Sequence, residues 1–303
     1  MTRPILSIVI ANYNYGRFLE TALESIFSQC EDESVQCMGR LSLRVKGADA
    51  LIEVIICDAA SSDNSVDVIK KYSDKIAWWC SEKDKGQSDA FNKGFAQAQG
   101  EFITWLNSDE IYTRGTFVAL WKYIERHPKA DWITSNDYAF SDTGSLITYI
   151  CWGPHHQIKS LSADHSPAVA FGPSSFMRRS MYEKVGPFDI DIHYGMDMTY
   201  WHRLTKAGFR QSRLNRFSWG FRVHSESKTA GVQTEKITQR RNFEDDIVAS
   251  RYGRQFQYSW KNPWYVFWIL CRVLDGSLIT NLFLRMFLKG KDARMVWKGV
   301  LWK

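Results

Sequence analysis

Short apolar runs alternate with amphipathic stretches through the first half of the chain, and this alternation limits the fold more than any other feature. Ile5–Ala11, Leu51–Cys57, Ile76–Trp79, Glu101–Leu106 and a segment near Asp131–Ser135 read as strands, the first two as β-branched buried runs. Between them Phe18, Leu19, Ala22, Leu23, Ile26 and Phe27 recur at helical spacing, Gly86–Ala98 and Phe117–Ile124 read as helices, and Ser62-Asp63 reads as an N-cap before Val66, Ile69 and Tyr72. Strands alternating with helices at this interval predict an α/β fold, a mostly parallel open sheet flanked by helices on both faces. Such sheets bind ligands beyond the carboxyl ends of their strands. Polar residues stand there: Asn12 and Asn14 after the first strand, Asp58 after the second and Asp109 after the fourth.

The rest is less regular. Residues from Cys30 to Ala50 read as a charged surface loop or insertion. Asp137–Ile150 reads as a hairpin, Ala168–Met177 as a strand feeding a helix from Ser180, Tyr194–Gly208 as an amphipathic helix, and Leu214–Phe221 as a strand. From Lys228 to about Arg254 the chain is polar without a clear period. An apolar fraction of 45% against 24% charged residues excludes a disordered chain. The formal charge of +6 suits anionic partners without choosing among them. The six cysteines are scattered with no C-x-x-C pair, which argues against zinc or redox chemistry. Met1–Pro4 runs directly into the first strand, leaving no room for a signal peptide, so free thiols and a cytoplasmic location are expected.

The residues just after the first strand exclude two common uses of an α/β sheet. A dinucleotide-binding unit needs G-x-G-x-x-G there, and the chain has Asn12-Tyr13-Asn14-Tyr15-Gly16; no P-loop motif occurs. Asp58 can accept hydrogen bonds from a base or a ribose, or equally cap a turn. Asp109 can ligate a hard divalent cation bridging diphosphate oxygens, Mg²⁺ or Mn²⁺, with neutral Asn107 and Ser108 beside it. Gly86–Asn92 opens a helix whose free N–H groups, with Gln87, Ser88 and Asn92, suit a sugar–nucleotide contact; a capping role for Ser88 is the plainer alternative.

Eight blocks in order resemble the signature of the large bacterial family 2 glycosyltransferases. They are Ile8–Asn14, Cys57–Asp63, Gly86–Asn92, Trp105–Asp109, Phe176–Arg179, Val185–Asp189, Tyr194–Trp201 and His224–Thr229, spread over about the first 230 residues. The resemblance implies a GT-A fold, a nucleotide-diphosphate sugar donor, a divalent metal and inversion at the anomeric carbon. It implies that Asp58 contacts the base, with Asn12, Asn14, Gln87, Ser88, Asn92 and Ser108 as further nucleotide contacts. It places Asp109 as the metal-binding carboxylate, His224 close to metal and diphosphate, and Asp197 as the catalytic base. Met196 stands where the family often has an acid, so that motif is degraded without loss of the carboxylate. An N-cap is the alternative role for Asp197, and Arg222 and Lys228 can offset leaving-group charge.

Residues 1–230 are thus expected to form the catalytic domain and 231–303 a helical, basic and aromatic tail. Asn262-Pro263 reads as a helix start, and Trp264, Tyr265, Phe267, Trp268, Ile269 and Leu270 form an apolar patch that Arg272 and Asp275 interrupt too soon for a membrane span. Leu278, Leu282, Leu284, Met286 and Phe287 continue it, interleaved with Arg285, Lys289, Lys291, Arg294, Lys298 and Lys303. Basic charge mixed with aromatics suits an in-plane helix on the anionic inner face of the cell membrane; a packed helical pair or a homodimer contact is the alternative. The expected acceptor is a glycan, polyprenyl-linked on this reading of the tail, with no nucleic-acid partner. A non-catalytic carbohydrate- or lipid-binding scaffold and a soluble protein-modifying transferase are the rival readings.

Overall fold

The computed structural model describes residues 3–150, 172–228, 235–253, 261, 263–274 and 276–293. Its first half runs β1 (Leu6–Asn12), α1 (Gly16–Phe27), β2 (Cys30–Cys37), β3 (Arg40–Val45), β4 (Leu51–Asp58), α2 (Ser65–Lys71), β5 (Trp78–Ser81), α3 (Gln87–Gln97), β6 (Phe102–Asn107), β7 (Ile111–Tyr112) and α4 (Thr116–Arg126). The second half runs β8 (Trp132–Ser141), β9 (Leu146–Ile150), β10 (Ser175–Arg178), α5 (Arg179–Val185), α6 (Met196–Lys206), β11 (Gln211–Val223), α7 (Glu235–Tyr252), α8 (Pro263–Leu274) and α9 (Ser277–Leu288).

One sheet holds all the strands in the order β2-β3-β4-β1-β6-β10-β8-β11-β7, with β5 paired to β4 and β9 to β8. The pairs β1/β4, β1/β6, β4/β5 and β8/β11 are parallel. β10 enters antiparallel between β6 and β8 and turns the sheet from parallel to mixed. Strand alternation sorts the core. Ile8, Ile10, Val54 and Ile56 face α1, α2 and α4, whereas Val9, Ile55, Ile103 and Trp105 face Phe91, Phe95, Met181, Tyr200 and Trp201 of α3, α5 and α6. Ser7 and the buried Glu53 fasten β1, β4 and the turn before β6: Ser7 donates to the Glu53 carboxylate at 2.6 Å, as does the Gln99 N–H.

The expected loop over Cys30–Ala50 is instead a hairpin, β2 with β3, that extends the sheet edge. Met38 and Gly39 both have positive φ (53° and 81°), as a two-residue hairpin turn requires. The third strand starts two residues later than the sequence suggests, at Trp78. α2 starts at Ser65, and Asp63 accepts from its N–H and from the N–H of Gly16, tying α2 to α1. The aperiodic stretch after Lys228 contains α7, which packs on α6 and places Val248 in the second core. Of the expected features, residues 168–171, Asn262, Asp275, Arg294, Lys298 and Lys303 lie outside the described residues.

Candidate active site

A cavity of about 600 Å³ opens at the carboxyl ends of β1, β4 and β6, walled by Asn12, Ala59, Ala60, Gln87, Ser108 and Asp109 among others. Asp58 forms its floor indirectly. It is 1% exposed, and its carboxylate accepts from Asn12 Nδ2 (2.7 Å), Ser61 Oγ (2.5 Å), the Ser61 N–H (3.0 Å) and Ser81 Oγ (2.6 Å). Four donors leave it shaping the loop that carries Ala59 and Ala60. Asn14 is exposed and engaged in the same clasp: its N–H donates to Ser61 Oγ, and its Oδ1 accepts from the Ser62 N–H, both at 2.8 Å. Asn14 and Asp58 therefore fasten the two strand ends together, and Asn12, whose side-chain amide donates to Asp58, lines the cavity.

The first turn of α3 divides similarly. Gly86, at φ +113°, turns the chain so that Gln87 projects between strand ends. Ser88 is buried and donates to the Ile192 carbonyl. Asn92 donates to the Phe188 carbonyl and accepts from the Phe188 N–H and the Tyr182 hydroxyl. Neither reaches the cavity; both lock the segment 182–192 onto α3, which is a packing role where the sequence suggests nucleotide contact.

After β6 the chain turns sharply with two adjacent acids. Asp109 is 8% exposed and faces the cavity, and His224 Nε2 lies 3.0 Å from its Oδ2. The His224 ring packs against Tyr15 and Phe18, and its Nδ1 has no hydrogen-bond partner among the described residues. The proton therefore belongs on Nε2, where it is donated to Asp109. Arg222 Nε donates to the Asp109 carbonyl at 3.0 Å while its guanidinium stacks between Phe18 and Phe140. Arg222 thus steadies Asp109 and does not line the cavity. Glu110 accepts from the N–H and the side-chain amide of Asn107, and burial with the neighbouring Asp109 charge pushes its pKa well above the usual carboxylate range. Among the described residues no group of three or more His, Cys, Asp or Glu is arranged to hold a metal.

A second cavity, of about 680 Å³, adjoins the first and is walled by Trp105, Asp137, Trp219, Asp197, Arg241 and Asp245 among others. Gln87, Asn107, Glu110, His193, Phe221 and Lys228 line both. At this junction Lys228 Nζ donates to Gln87 Oε1 at 3.1 Å, and Gln87 Nε2 donates to Asn107 Oδ1. Asp197 sits in the first turn of α6, after Gly195 in the left-handed region, and accepts from the Met198 N–H at 2.8 Å. Burial raises its pKa, opposed by the Met198 and Gly172 N–H groups and by Lys228. Burial lowers the Lys228 pKa to about 8, opposed by the charges of Asp197 and Glu244. Sequence reasoning missed Glu110, His193, Arg241 and Asp245. Arg241 and Asp245 stand four apart on α7, a spacing that puts two charges on one helix face.

A mixed sheet with paired cavities at its strand ends, one edged by Asp109 and the other by Asp197, is the architecture of the GT-A fold. The chain belongs to glycosyl transferase family 2, whose model matches residues 7–186. A glycosyltransferase of Nostoc sp. is 28% identical over 192 residues, 61% of this chain and 54% of that protein, so the match spans little more than half of that relative. One from Rickettsia prowazekii is 22% identical over 80% of this chain and 70% of its own length. Of solved structures, S. aureus TarS 1-349 in complex with UDP-GlcNAc superposes with a TM-score of 0.58 at 15% identity, over 92% of this chain and 77% of that one. The mannosyltransferase PcManGT of Pyrobaculum calidifontis, in complex with GDP-Man and Mn²⁺, superposes at 0.50 and 15% identity, over 98% and 84%. These likenesses carry the fold.

Proposed function

We propose that the chain moves a hexose from a nucleoside-diphosphate donor in the first cavity to a hydroxyl of a glycan acceptor in the second, inverting the anomeric carbon. The observation that carries this reading is the shared wall. Lys228, Gln87 and Asn107 stand where a sugar bridging both cavities would lie, with Asp109 on one side and Asp197 on the other. The complexes of TarS with UDP-GlcNAc and of PcManGT with GDP-Man support a nucleotide sugar as donor.

Asp197, its basicity raised by burial, takes the proton of the acceptor hydroxyl. The acceptor oxygen then bonds to the anomeric carbon on the face opposite the diphosphate, and the carbon–oxygen bond to phosphate breaks with its electron pair on the departing diphosphate. Lys228, which reaches both cavities, offsets that developing charge. Asp109 is the residue that fits a divalent metal: it faces the cavity, and the His224 proton and the Arg222 bond to its carbonyl fix its direction. Mg²⁺ or Mn²⁺ held there would supply a Lewis acid for the diphosphate oxygens. Asp137 and Asp245 line the second cavity and can accept from sugar hydroxyls. Such a wall suits a glycan, and the basic, apolar tail suits one carried on a polyprenyl lipid at the inner face of the cell membrane.

A panel of nucleotide sugars, assayed for nucleoside diphosphate release with Mn²⁺, with Mg²⁺ and with chelator, tests the reading. One donor should turn over only with metal, and Asp109→Ala should abolish that turnover. Product anomers resolved by NMR should be inverted. Release from no donor, with glycan acceptors present, would leave a binding scaffold instead.

A further inference from the structure

α8 and α9 form a helical hairpin about Gly276, which has φ +75°. One side of α9 is anchored. Leu284 and Leu288 pack with Tyr138, Phe140 and Leu146. The chain beyond α9 is stitched to the β8–β9 turn through Gly290 N–H to the Leu146 carbonyl, Leu146 N–H to the Lys291 carbonyl and Ala293 N–H to the Gly144 carbonyl, each 2.7 Å. The outer side is exposed among the described residues. Leu274 is 86% exposed and Met286 79%, and Leu270, Ile279, Phe283 and Phe287 are each more than half exposed. Among the described residues, most of the exposed large apolar side chains lie on these two helices. A surface of this kind marks a docking site.

We propose that this outer face docks in the plane of an anionic lipid bilayer, and that the docking holds the second cavity beside the membrane. Each helix has 12 residues, about 18 Å of length against a hydrocarbon core of about 30 Å, so neither spans it. Among the described residues no helix is long and apolar enough to cross a membrane. The charge at the rim chooses the partner. Arg285, Lys289 and Lys291 are exposed beside the apolar side chains. A two-fold contact between copies of the chain would crowd these cations against their own images, whereas acidic headgroups neutralise them and the apolar tips enter the acyl boundary. The link to the active site is short: β9, which pairs with β8 and carries the stitched segment, also supplies Ile147 to the wall of the second cavity. The docking stands independently of the transfer reading.

Full-length protein is mixed with phosphatidylglycerol–phosphatidylcholine vesicles, or with phosphatidylcholine alone, and floated. Binding is expected only to the anionic vesicles and should weaken with salt. The double variant L274E/M286E should partition about tenfold or more weaker, because two apolar tips no longer enter the bilayer. The pair K289Q/K291Q should lose about tenfold or more, in line with the worth of two cations near an anionic surface. All four positions are exposed, so circular dichroism and acceptor-independent donor hydrolysis should match the parent, which separates loss of docking from loss of the site. Absence of vesicle binding by the parent, or equal partitioning of parent and L274E/M286E, overturns the proposal. So does a parent dimer in light scattering that L274E/M286E converts to monomers.

Discussion

Asp197 and Lys228 are half-buried on the wall of the same cavity, and each opposes the shift that desolvation imposes on the other. Their titrations set the expected pH profile. Asp197 works as a base only when ionised, so turnover should rise as pH passes through its raised pKa. Lys228 stabilises the leaving group only when protonated, so turnover should fall as pH passes about 8. A bell results, with its acid limb set by Asp197 above the ordinary aspartate value. In Lys228→Gln the alkaline limb should vanish while the acid limb stays; an unchanged alkaline limb would remove Lys228 from the chemistry. Asp197→Asn keeps the size and much of the hydrogen bonding but cannot accept the proton. Donor affinity should stay near that of the parent while kcat falls by roughly 10²–10⁴-fold, the usual worth of a general base. Lost donor binding with kcat intact would make Asp197 a structural cap.

At the scale of elements, α7 completes the wall of the second cavity. It lies beyond residues 7–186 of the family match, yet it brings Arg241 and Asp245 to the second cavity. Glu244, on the same helix, is buried and accepts from the Tyr194 N–H at 2.6 Å, fixing α7 against the start of α6. Arg241 lies over the Tyr194 ring at 4.8 Å. Alanine at Arg241 or Asp245 should raise KM for the acceptor roughly tenfold, as loss of a charged hydrogen bond does, with donor KM unchanged. An equal rise in both constants would point to a general loosening of the site. The same helix marks a limit of sequence reading. Strands such as β1 and β4 are legible because burial on both faces leaves runs that are apolar but for the paired Ser7 and Glu53 and the polar residues at their ends. α7 has no apolar stripe, since it is held by Val248 and by the buried Glu244 among polar neighbours. The β2–β3 hairpin is hidden differently: β2 is an edge strand with most residues in solvent, so its charge looks like a loop. A signal was present in β3, where Leu41, Leu43 and Val45 alternate with Arg40, Ser42 and Arg44. At the site, sequence located the strand ends but could not separate Asn12 and Asp109, which face the cavity, from Ser88 and Asn92, which face a packed neighbour. That distinction rests on contacts to residues about a hundred positions away.

At the scale of the whole molecule, the first cavity draws on Asn12, the loop after β4, the start of α3, the end of β6 and Lys228, so it exists only when the full sheet is assembled. A ligand of that cavity should therefore stabilise the folded chain by mass action. At a hundredfold excess over its dissociation constant a nucleoside diphosphate adds about 2.7 kcal/mol. Each kcal/mol raises Tm by about 2 °C in a chain of this size, which amounts to roughly 5 °C. UDP and GDP should each be tried, with and without Mn²⁺, by differential scanning fluorimetry. The nucleotide that fits should raise Tm without metal and raise it further with Mn²⁺, whereas Mn²⁺ alone should do little, because Asp109 offers one carboxylate and the diphosphate supplies the other oxygens. Asp109→Ala should keep the metal-free increment and lose the metal-dependent one. Asp197→Asn, on the far cavity, should keep both. A shift in Asp109→Ala that still grows with Mn²⁺ would move the metal elsewhere, and a chain indifferent to both nucleotides would take the donor out of the first cavity.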